Sequence, residues 1–574
     1  MKLTYTDNYE KLQEKLGTLN GEWDDNQPNK KVFRLDGAVM SWFESTGTLQ
    51  FQGKPKLKEH LEQKVKHLLY PTEYEESPVS TEDYSEEEKQ IDSSPSKQFL
   101  SDQFEDSELI IGLVSAVGTE TSRVTTPLTD RLSQFGYEVK EIKVSSLLAA
   151  PEKELPEYAR IKHYMHKGDS LRESSQNNGI LAYGSAKLIK EARPSTVCKT
   201  AYIINSLKHP DEVSFLRKIY GQGFYFIVRR LNYLTKDKGL KVNEANELIS
   251  IDEDEKVKHG QKTRDTFHLS DFYLNLGKNN DQVKNTLERF LELIFGHPYK
   301  NPTFDEFAMY MAFSSSVRSS DLSRQVGAVI AQDNQIIATG ANEVPCSKGG
   351  HYWAQLNEDT GEVYDVIGGK DYTRNEDSNK TQQNEIIENL KNSISNIEGI
   401  EESVLLEISE KLEESQIKDL TEYGRVVHAE MQAILSCAKE GISCSNATLY
   451  CTTFPCHNCA KHLIASGIMR VVYVEPYPKS KALEFHNEAI STDNKEAKEK
   501  QLVLFEPFIG VGARRFLDLF SMSSGAGNKL KRKNKDGSTV DWNKKTARIR
   551  VNLFPESYLD IEKAAIKHFD EKNN

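Results

Sequence analysis

The chain has 574 residues, 28% of them charged and 37% hydrophobic, with a net charge of -13. That length implies several domains, each able to bury a core, and the acidic balance excludes a molecule built as a whole to coat nucleic acid or an anionic membrane. MKLTYTDNYEKLQEKL has no apolar signal core and no apolar run approaches the ~20 residues that span a bilayer, so a cytoplasmic protein without membrane partners is expected.

Residues 1–70 read as a small α+β module. KKVFRLDGAVMSWFE and TLQFQG are taken as two strands around a Ser-Thr-Gly turn, and KPKLKEHLEQKVKHLL as an amphipathic helix with Leu57, Leu61, Val65 and Leu68 on one face. The combination resembles the substrate-binding domain of some ribonucleases H, which would make Trp42, Phe51 and lysines 54–66 a nucleic-acid sensor. The plainer reading, a module for oligomer contacts, is preferred. Residues 71–106, rich in Glu, Ser and Pro with almost no aliphatic side chains, form an acidic disordered linker.

At 107 the composition changes. ELIIGLVSAVGTETS is an apolar strand running into a glycine turn, followed by a helix through DRLSQFGY and a strand at YEVKEIKVS. This order starts a βαβ unit of P-loop type. Against Gly-x-x-x-x-Gly-Lys-Ser/Thr, however, SAVGTETS matches only at Ser122, and no lysine reaches the β- and γ-phosphates. Residues 107–296 are therefore read as a nucleotide-kinase-like doubly wound domain with a degraded loop. Ser115, Gly118, Thr119 and Ser122 are the residues a regulatory nucleotide would meet.

A third domain, 297–522, begins with a helix at DEFAMYMAFSSSVRSSD. QVGAVIAQDNQIIATGANEVP is strand, polar turn, strand. An Asn-, Glu- and Lys-rich insertion follows at 351–422, with helical periodicity in TQQNEIIENLKNSISNI and ESVLLEISEKLEES. HAEMQAILSCAKEG is a helix ending at Gly441, ATLYCTTF a strand, PCHNCAKHLIASG a helix with proline in its first turn, and MRVVYVEPY a strand. Residues 523–574 form a basic extension whose KLKRKNKDG run is read as solvated, with phosphate or RNA contact as the functional alternative.

The seven cysteines, at 198, 346, 437, 444, 451, 456 and 459, are odd in number and do not suggest a disulfide framework. Cys456 and Cys459 are spaced to share the first turn of a helix, whose exposed N–H groups favour thiolates. With His428 they give two thiolates and one imidazole. That is three zinc ligands with a fourth position open, the catalytic rather than the structural arrangement. Glu430, two residues beyond the histidine, is free to move a proton. His-x-Glu with Pro-Cys-x-x-Cys is the zinc deaminase signature, complete here as His428-Ala429-Glu430 and Pro455-Cys456-His457-Asn458-Cys459.

RQVGAVIAQDNQIIATGANEVP, VHAEMQAI and TTFPCHNCAKHLIASGI resemble the deoxycytidylate deaminase family of the zinc-dependent cytidine deaminase superfamily. GQKTRDTFHLSDFY, VEPYPKSKA and FEPFIGVGARRF, together with the degenerate P-loop segment, resemble its bacterial anti-phage dCTP/dCMP deaminases, which destroy the dCTP pool on infection. The resemblance implies a cytidine-deaminase-like α/β/α domain, Zn2+ as cofactor, a deoxycytidine nucleotide as substrate and a ring-like homo-oligomer, commonly a hexamer. It implies hydrolysis of the 4-amino group to dUTP or dUMP, with Glu430 shuttling the proton and Asn342 and Thr453 contacting the substrate. Phosphate-binding candidates are Arg318, Arg324, Lys479 and Lys481, with Arg514 and Arg515 behind them. The alternative is a polynucleotide deaminase acting on tRNA or single-stranded DNA, for which the N-terminal module and basic tail speak weakly and the net charge does not.

Overall fold

The computed structural model describes residues 4–69, 107–115, 121–194, 199–230, 259–275 and 279–553, apart from positions 18, 20, 28, 36, 54, 398, 421 and 478. Gly118, Thr119, Cys198 and the stretch read as a linker lie outside the described residues. The chain divides into two compact units, 1–91 and 92–574.

The first unit carries four antiparallel strands in sequential order: β1 (Glu22–Gln27), β2 (Lys30–Leu35), β3 (Ala38–Phe43) and β4 (Thr48–Gln52). KKVFRLDGAVMSWFE is thus two strands rather than one. Gly37, at φ 78°, turns the chain between them, a conformation glycine reaches without a Cβ clash. Helices α1 (Tyr9–Lys15) and α2 (Pro55–Leu69) complete the module. Leu61, Val65 and Leu69 of α2 are buried, while Leu57 is exposed. Trp42 and Phe51 are also core residues, and the Trp42 indole donates to the Tyr5 carbonyl at 3.0 Å. Both rings are thus spent on packing, which removes them as bases' stacking partners.

The second unit holds two six-stranded sheets. In chain order the elements of the first are β5 (Leu109–Ser115), α3 (Ser122–Gln134), β6 (Glu138–Lys143), α4 (Glu157–Ser175), α5 (Ile180–Ala192), β7 (Thr200–Leu207), α6 (Pro210–Tyr220), β8 (Phe224–Arg230), β9 (Phe272–Asn275) and α7 (Asn280–Ile294). Strands β6, β7, β5, β8 and β9 run parallel in that order. Leu109, Ile111 and Leu113 pack on one face with α3 and α7, while Ile110 and Val114 pack on the other with α5 and α6. Both faces of the sheet are covered, which is why the inner strands β5, β7 and β8 read as apolar runs, whereas the edge strand β6, EVKEIK, does not.

The elements that follow are α8 (Phe304–Ser316), β10 (Gly327–Gln332), β11 (Gln335–Ala341), the two-residue strands β12 (Gln355–Leu356) and β13 (Val363–Tyr364), α9 (Ser378–Ser395) and α10 (Glu402–Glu413). Then come α11 (Ala429–Glu440), β14 (Thr448–Thr453), α12 (His457–Ala465), β15 (Arg470–Glu475), β16 (Ile490–Ser491), β17 (Val503–Pro507) and β18 (Gly510–Val511). The second sheet runs β11-β10-β14-β15-β17-β16, antiparallel through β14 and parallel beyond it. The β10–β11 hairpin turns at Asp333 and Asn334, both at positive φ as a tight hairpin demands.

The linear domain boundaries are not kept in space. β18 pairs antiparallel with β9 and so completes the first sheet. Ala308, Met309 and Ala312 of α8 share one apolar cluster with Ile110, Val329 and Val472, joining the sheets through a common core. The C-terminal stretch likewise packs in part: Ala547, Ile549 and Val551 are buried, and the Trp542 indole donates to Phe295 O at 3.1 Å. The KLKRKNKDG segment stays largely at the surface, while apolar residues alternate into the cluster after it. Among the described residues no helix is long and apolar enough to cross a membrane.

Candidate functional site

Two helix starts meet on one face of the second sheet. His428 is the N-cap of α11 and Cys456 the N-cap of α12, both in extended conformation. Pro455 therefore precedes the cap rather than opening the helix. The Cys456 sulfur accepts the Cys459 backbone N–H at 3.4 Å, which fixes its position. His428 Nδ1 lies 3.4 Å from Cys456 Sγ and 3.4 Å from Cys459 Sγ. One nitrogen and two sulfurs within 4.8 Å of one another form a set that can hold a metal ion. Two soft thiolates and an imidazole suit zinc, with one tetrahedral position left over.

The local electrostatics prepare such a ligand set. The hydrogen bond with Cys459, supported by His428, outweighs burial and holds the Cys456 thiol down at about 4. His428 is pushed up to about 9, chiefly by its hydrogen bond with Cys456. Cys459 is raised by the shared proton and by burial. The side chain of Glu430, 4% exposed, sits beside these groups, and burial lifts its carboxyl above the usual range.

Backbone packing sets where His428 stands. The Gly340 backbone of β11 passes against the first turn of α11 where no Cβ would fit. Glu343 and Val427 exchange backbone hydrogen bonds of 3.3 and 3.1 Å, pinning the segment that leads into His428.

A cleft of about 770 Å³ opens over the ligand set. Of the sequence candidates it brings together His428, Glu430, Cys456, Asn342, Thr453, Arg324, Lys479 and Lys481. Cys459 is fully buried behind it. Asn342 spans the entrance loop: its Oδ1 accepts Val326 N–H at 2.7 Å and its Nδ2 donates to Arg324 O at 2.8 Å. Arg324 stacks over Tyr477 with its guanidinium 5.0 Å from the ring centre.

Other candidates lie elsewhere. Arg318 does not line the cleft; it stacks on Trp353 at 3.8 Å, drawn there by the flat indole face. Arg515 is buried in the first sheet, donating to the carbonyls of Gln222 and Phe224 at 2.8 and 2.7 Å, and Arg514 is exposed beside Arg217. Ser115 ends β5 and Ser122 starts α3, both in the first sheet's layer rather than at the cleft.

Sequence reasoning missed the outer wall. Asp371, Asp377, Asn379, Leu420 and Glu422, all from the insertion, line the cleft together with Asp321, Phe454, Tyr477 and Phe485. Arg425, three residues before His428, ties the insertion down through Asp371 at 2.7 Å and Gly369 O at 3.0 Å. An aspartate before a helical run at 377 was a readable cap signal, but nothing local said which surface that cap would face.

Residues 302–475 match the family described as cytidine and deoxycytidylate deaminase zinc-binding region. The chain is 33% identical over 173 residues to the deoxycytidylate deaminase of Enterobacteria phage T2, covering 30% of this chain and 80% of that protein. It is 25% identical over 228 residues to the deoxycytidylate deaminase of Homo sapiens, covering 39% and 90%. Among solved structures, dCMP deaminase from the cyanophage S-TIM5 in complex with dCMP and dUMP aligns at 18% identity and a TM-score of 0.20, covering 37% of this chain and all of that one.

Proposed function

The chain belongs to the zinc-dependent deoxycytidylate deaminase family, and from that premise we propose that it removes the 4-amino group of dCMP by hydrolysis, giving dUMP and ammonia. The observation that carries the reading is the gathering of His428, Cys456 and Glu430 in one cleft, with Cys459 buried behind it and Arg324, Lys479 and Lys481 also among its lining.

His428, Cys456 and Cys459 hold the zinc. Zinc, when bound, supplies the Lewis acidity that makes a water acidic near neutral pH. Glu430 would carry one proton of the attacking water to N3 of the ring, where it stays in the product, and then the second, from the new C4 hydroxyl, to the departing amine, which leaves as ammonia. Its burial suits the task, since a carboxylate with a raised pKa both accepts and returns a proton readily. Asn342 holds the edge of the cleft for the sugar, and the three cations meet the phosphate. The wall built by the insertion favours a free nucleotide over a strand, and the burial of Trp42 and Phe51 removes the stacking platform that a polynucleotide substrate would have used.

The reading extends to dCTP, supported by the resemblance of 260–273, 474–482 and 505–516 to anti-phage deaminases; depletion of that pool would stall phage DNA synthesis. The first sheet would then serve as a nucleotide-sensing or scaffolding layer rather than a kinase. Incubating the zinc-loaded protein with dCMP, dCTP, CTP and a cytosine-containing oligonucleotide tests the assignment. Turnover of dCMP or dCTP is expected, and turnover of the oligonucleotide alone would overturn it. Glu430→Ala should lower kcat by roughly 10²–10⁴-fold with zinc retained.

A further inference from the structure

Thr453 closes β14 at the wall of the cleft and is 6% exposed. Its register partner across the parallel β14–β15 ladder is Glu475, and the Phe454 N–H donates to the Glu475 carbonyl at 2.7 Å. The side chains meet as well: Thr453 Oγ1 donates to Glu475 Oε2 at 3.3 Å. The second carboxylate oxygen, Oε1, is 3.1 Å from His268 Nδ1. His268 comes from the one-turn helix Phe267–Leu269, ahead of the first residue of the family match at 302. That turn is braced: the Tyr273 hydroxyl donates to Phe267 O at 2.9 Å and Arg217 donates to Leu269 O at 2.5 Å.

An ionised carboxylate only accepts hydrogen bonds, whereas a hydroxyl has one proton and two lone pairs. Held between His268 and Thr453, the Glu475 carboxylate claims the Thr453 proton. What remains for a ligand in the cleft is a pair of lone pairs. We propose that Glu475 is a positioning residue that locks the Thr453 hydroxyl as an acceptor, so that this wall reads an N–H donor on the ligand and rejects a carbonyl at the same place. The inference rests on the assignment of a deoxycytidine nucleotide to the cleft. There the N–H donor is the 4-amino group, and the carbonyl is the oxygen that replaces it in the product. The wall therefore discriminates substrate from product by hydrogen-bond polarity, and His268 lends a residue of the first sheet's layer to that discrimination.

The test uses the full-length zinc-loaded protein and four variants, Glu475→Ala, Thr453→Val, the double variant and Thr453→Ser. KM and kcat are measured for dCMP, and the inhibition constant for dUMP. Losing Glu475 frees the hydroxyl to rotate and donate. Glu475→Ala should therefore raise KM for dCMP about tenfold, the scale of one hydrogen bond, and tighten dUMP inhibition several-fold, with kcat within about twofold. Thr453→Val should abolish the discrimination, the double variant should add nothing to it, and Thr453→Ser should keep the wild-type ratio of the two constants. Equal changes in KM and in dUMP inhibition for Glu475→Ala, or multiplying effects in the double variant, would overturn the proposal. A wild-type protein that turns over no deoxycytidine nucleotide would instead overturn the reaction assignment beneath it.

Discussion

Gly340 of β11 lies so close under the first turn of α11 that a Cβ there would come within 2.1 Å of the Ala429 carbonyl oxygen. The obstruction is backbone, not the end of a flexible side chain, so Gly340→Ala must push α11 away from the sheet. His428 caps that helix and moves with it. The expected cost is about 1–3 kcal/mol of stability, together with a lower zinc stoichiometry. Thermal unfolding and metal content of the purified variant check both; wild-type values for both would show that the contact does not set the position of His428.

Metal and fold should be coupled through the two helix starts. His428, Cys456 and Cys459 come from segments separated by a strand, so a shared ion ties α11 to α12. Chelation should abolish turnover and lower the melting temperature, and readdition of zinc should restore both. Cys459→Ala removes the buried ligand and should drop zinc content below about a tenth of wild type, whereas Cys451→Ala, in the strand core, should leave it intact. Loss of zinc on Cys451→Ala would place the metal elsewhere.

The motif residues were readable because their chemistry is local. A His-x-Glu and a Pro-Cys-x-x-Cys each sit within one turn, and a helix start needs only a few residues to be recognised. The cleft's wall was not readable for the opposite reason. Asp371 reaches it through Arg425, 54 positions away in sequence, and no periodicity records such a pair. The stacking of Arg318 on Trp353 was unreadable in the same way, since Trp353 lies 35 residues on and gives no local sign of holding it. Trp42 and Phe51, a nucleic-acid sensor on one reading of the sequence, face the covered side of their strands, which shows only once KKVFRLDGAVMSWFE is divided at Gly37.

His351 sets a pH limit on stability. Its ring is 4% exposed, and neither nitrogen has a hydrogen-bond partner among the described residues. Burial first, and Arg318 second, hold its pKa down at about 4, against an ordinary value near 6.5. The unfolded chain takes up this proton around pH 6.5 and the native protein only near 4. The native state is therefore fully favoured by this group above about 6.5 and loses roughly 1.4 kcal/mol per pH unit below it, about 3 kcal/mol by pH 4. His351→Phe, which cannot titrate, should flatten this part of the stability curve. Chemical denaturation of both proteins at pH 7.5, 6 and 5 measures it, and parallel curves would rule the effect out.

Arg425 is where the insertion meets the segment that leads into His428. It donates to Asp371 at 2.7 Å and to Gly369 O at 3.0 Å, and its own backbone runs three residues later into His428. The guanidinium is about a quarter exposed, and Asp371 about an eighth. Burial raises the Asp371 carboxyl, so without Arg425 it would be left half-desolvated and unpaired at the cleft wall. Arg425→Met keeps the aliphatic stem and deletes the tie. The insertion helices α9 and α10 remain joined to each other, so the wall should loosen as a body rather than unfold. KM for the nucleotide should rise about tenfold, more than kcat falls, because the ligand set beneath is held independently by Glu343 and Gly340. Amide exchange should quicken across 368–380 and not across α11. A variant with unchanged KM and faster exchange in α11 would mean that Arg425 supports His428 and not the wall.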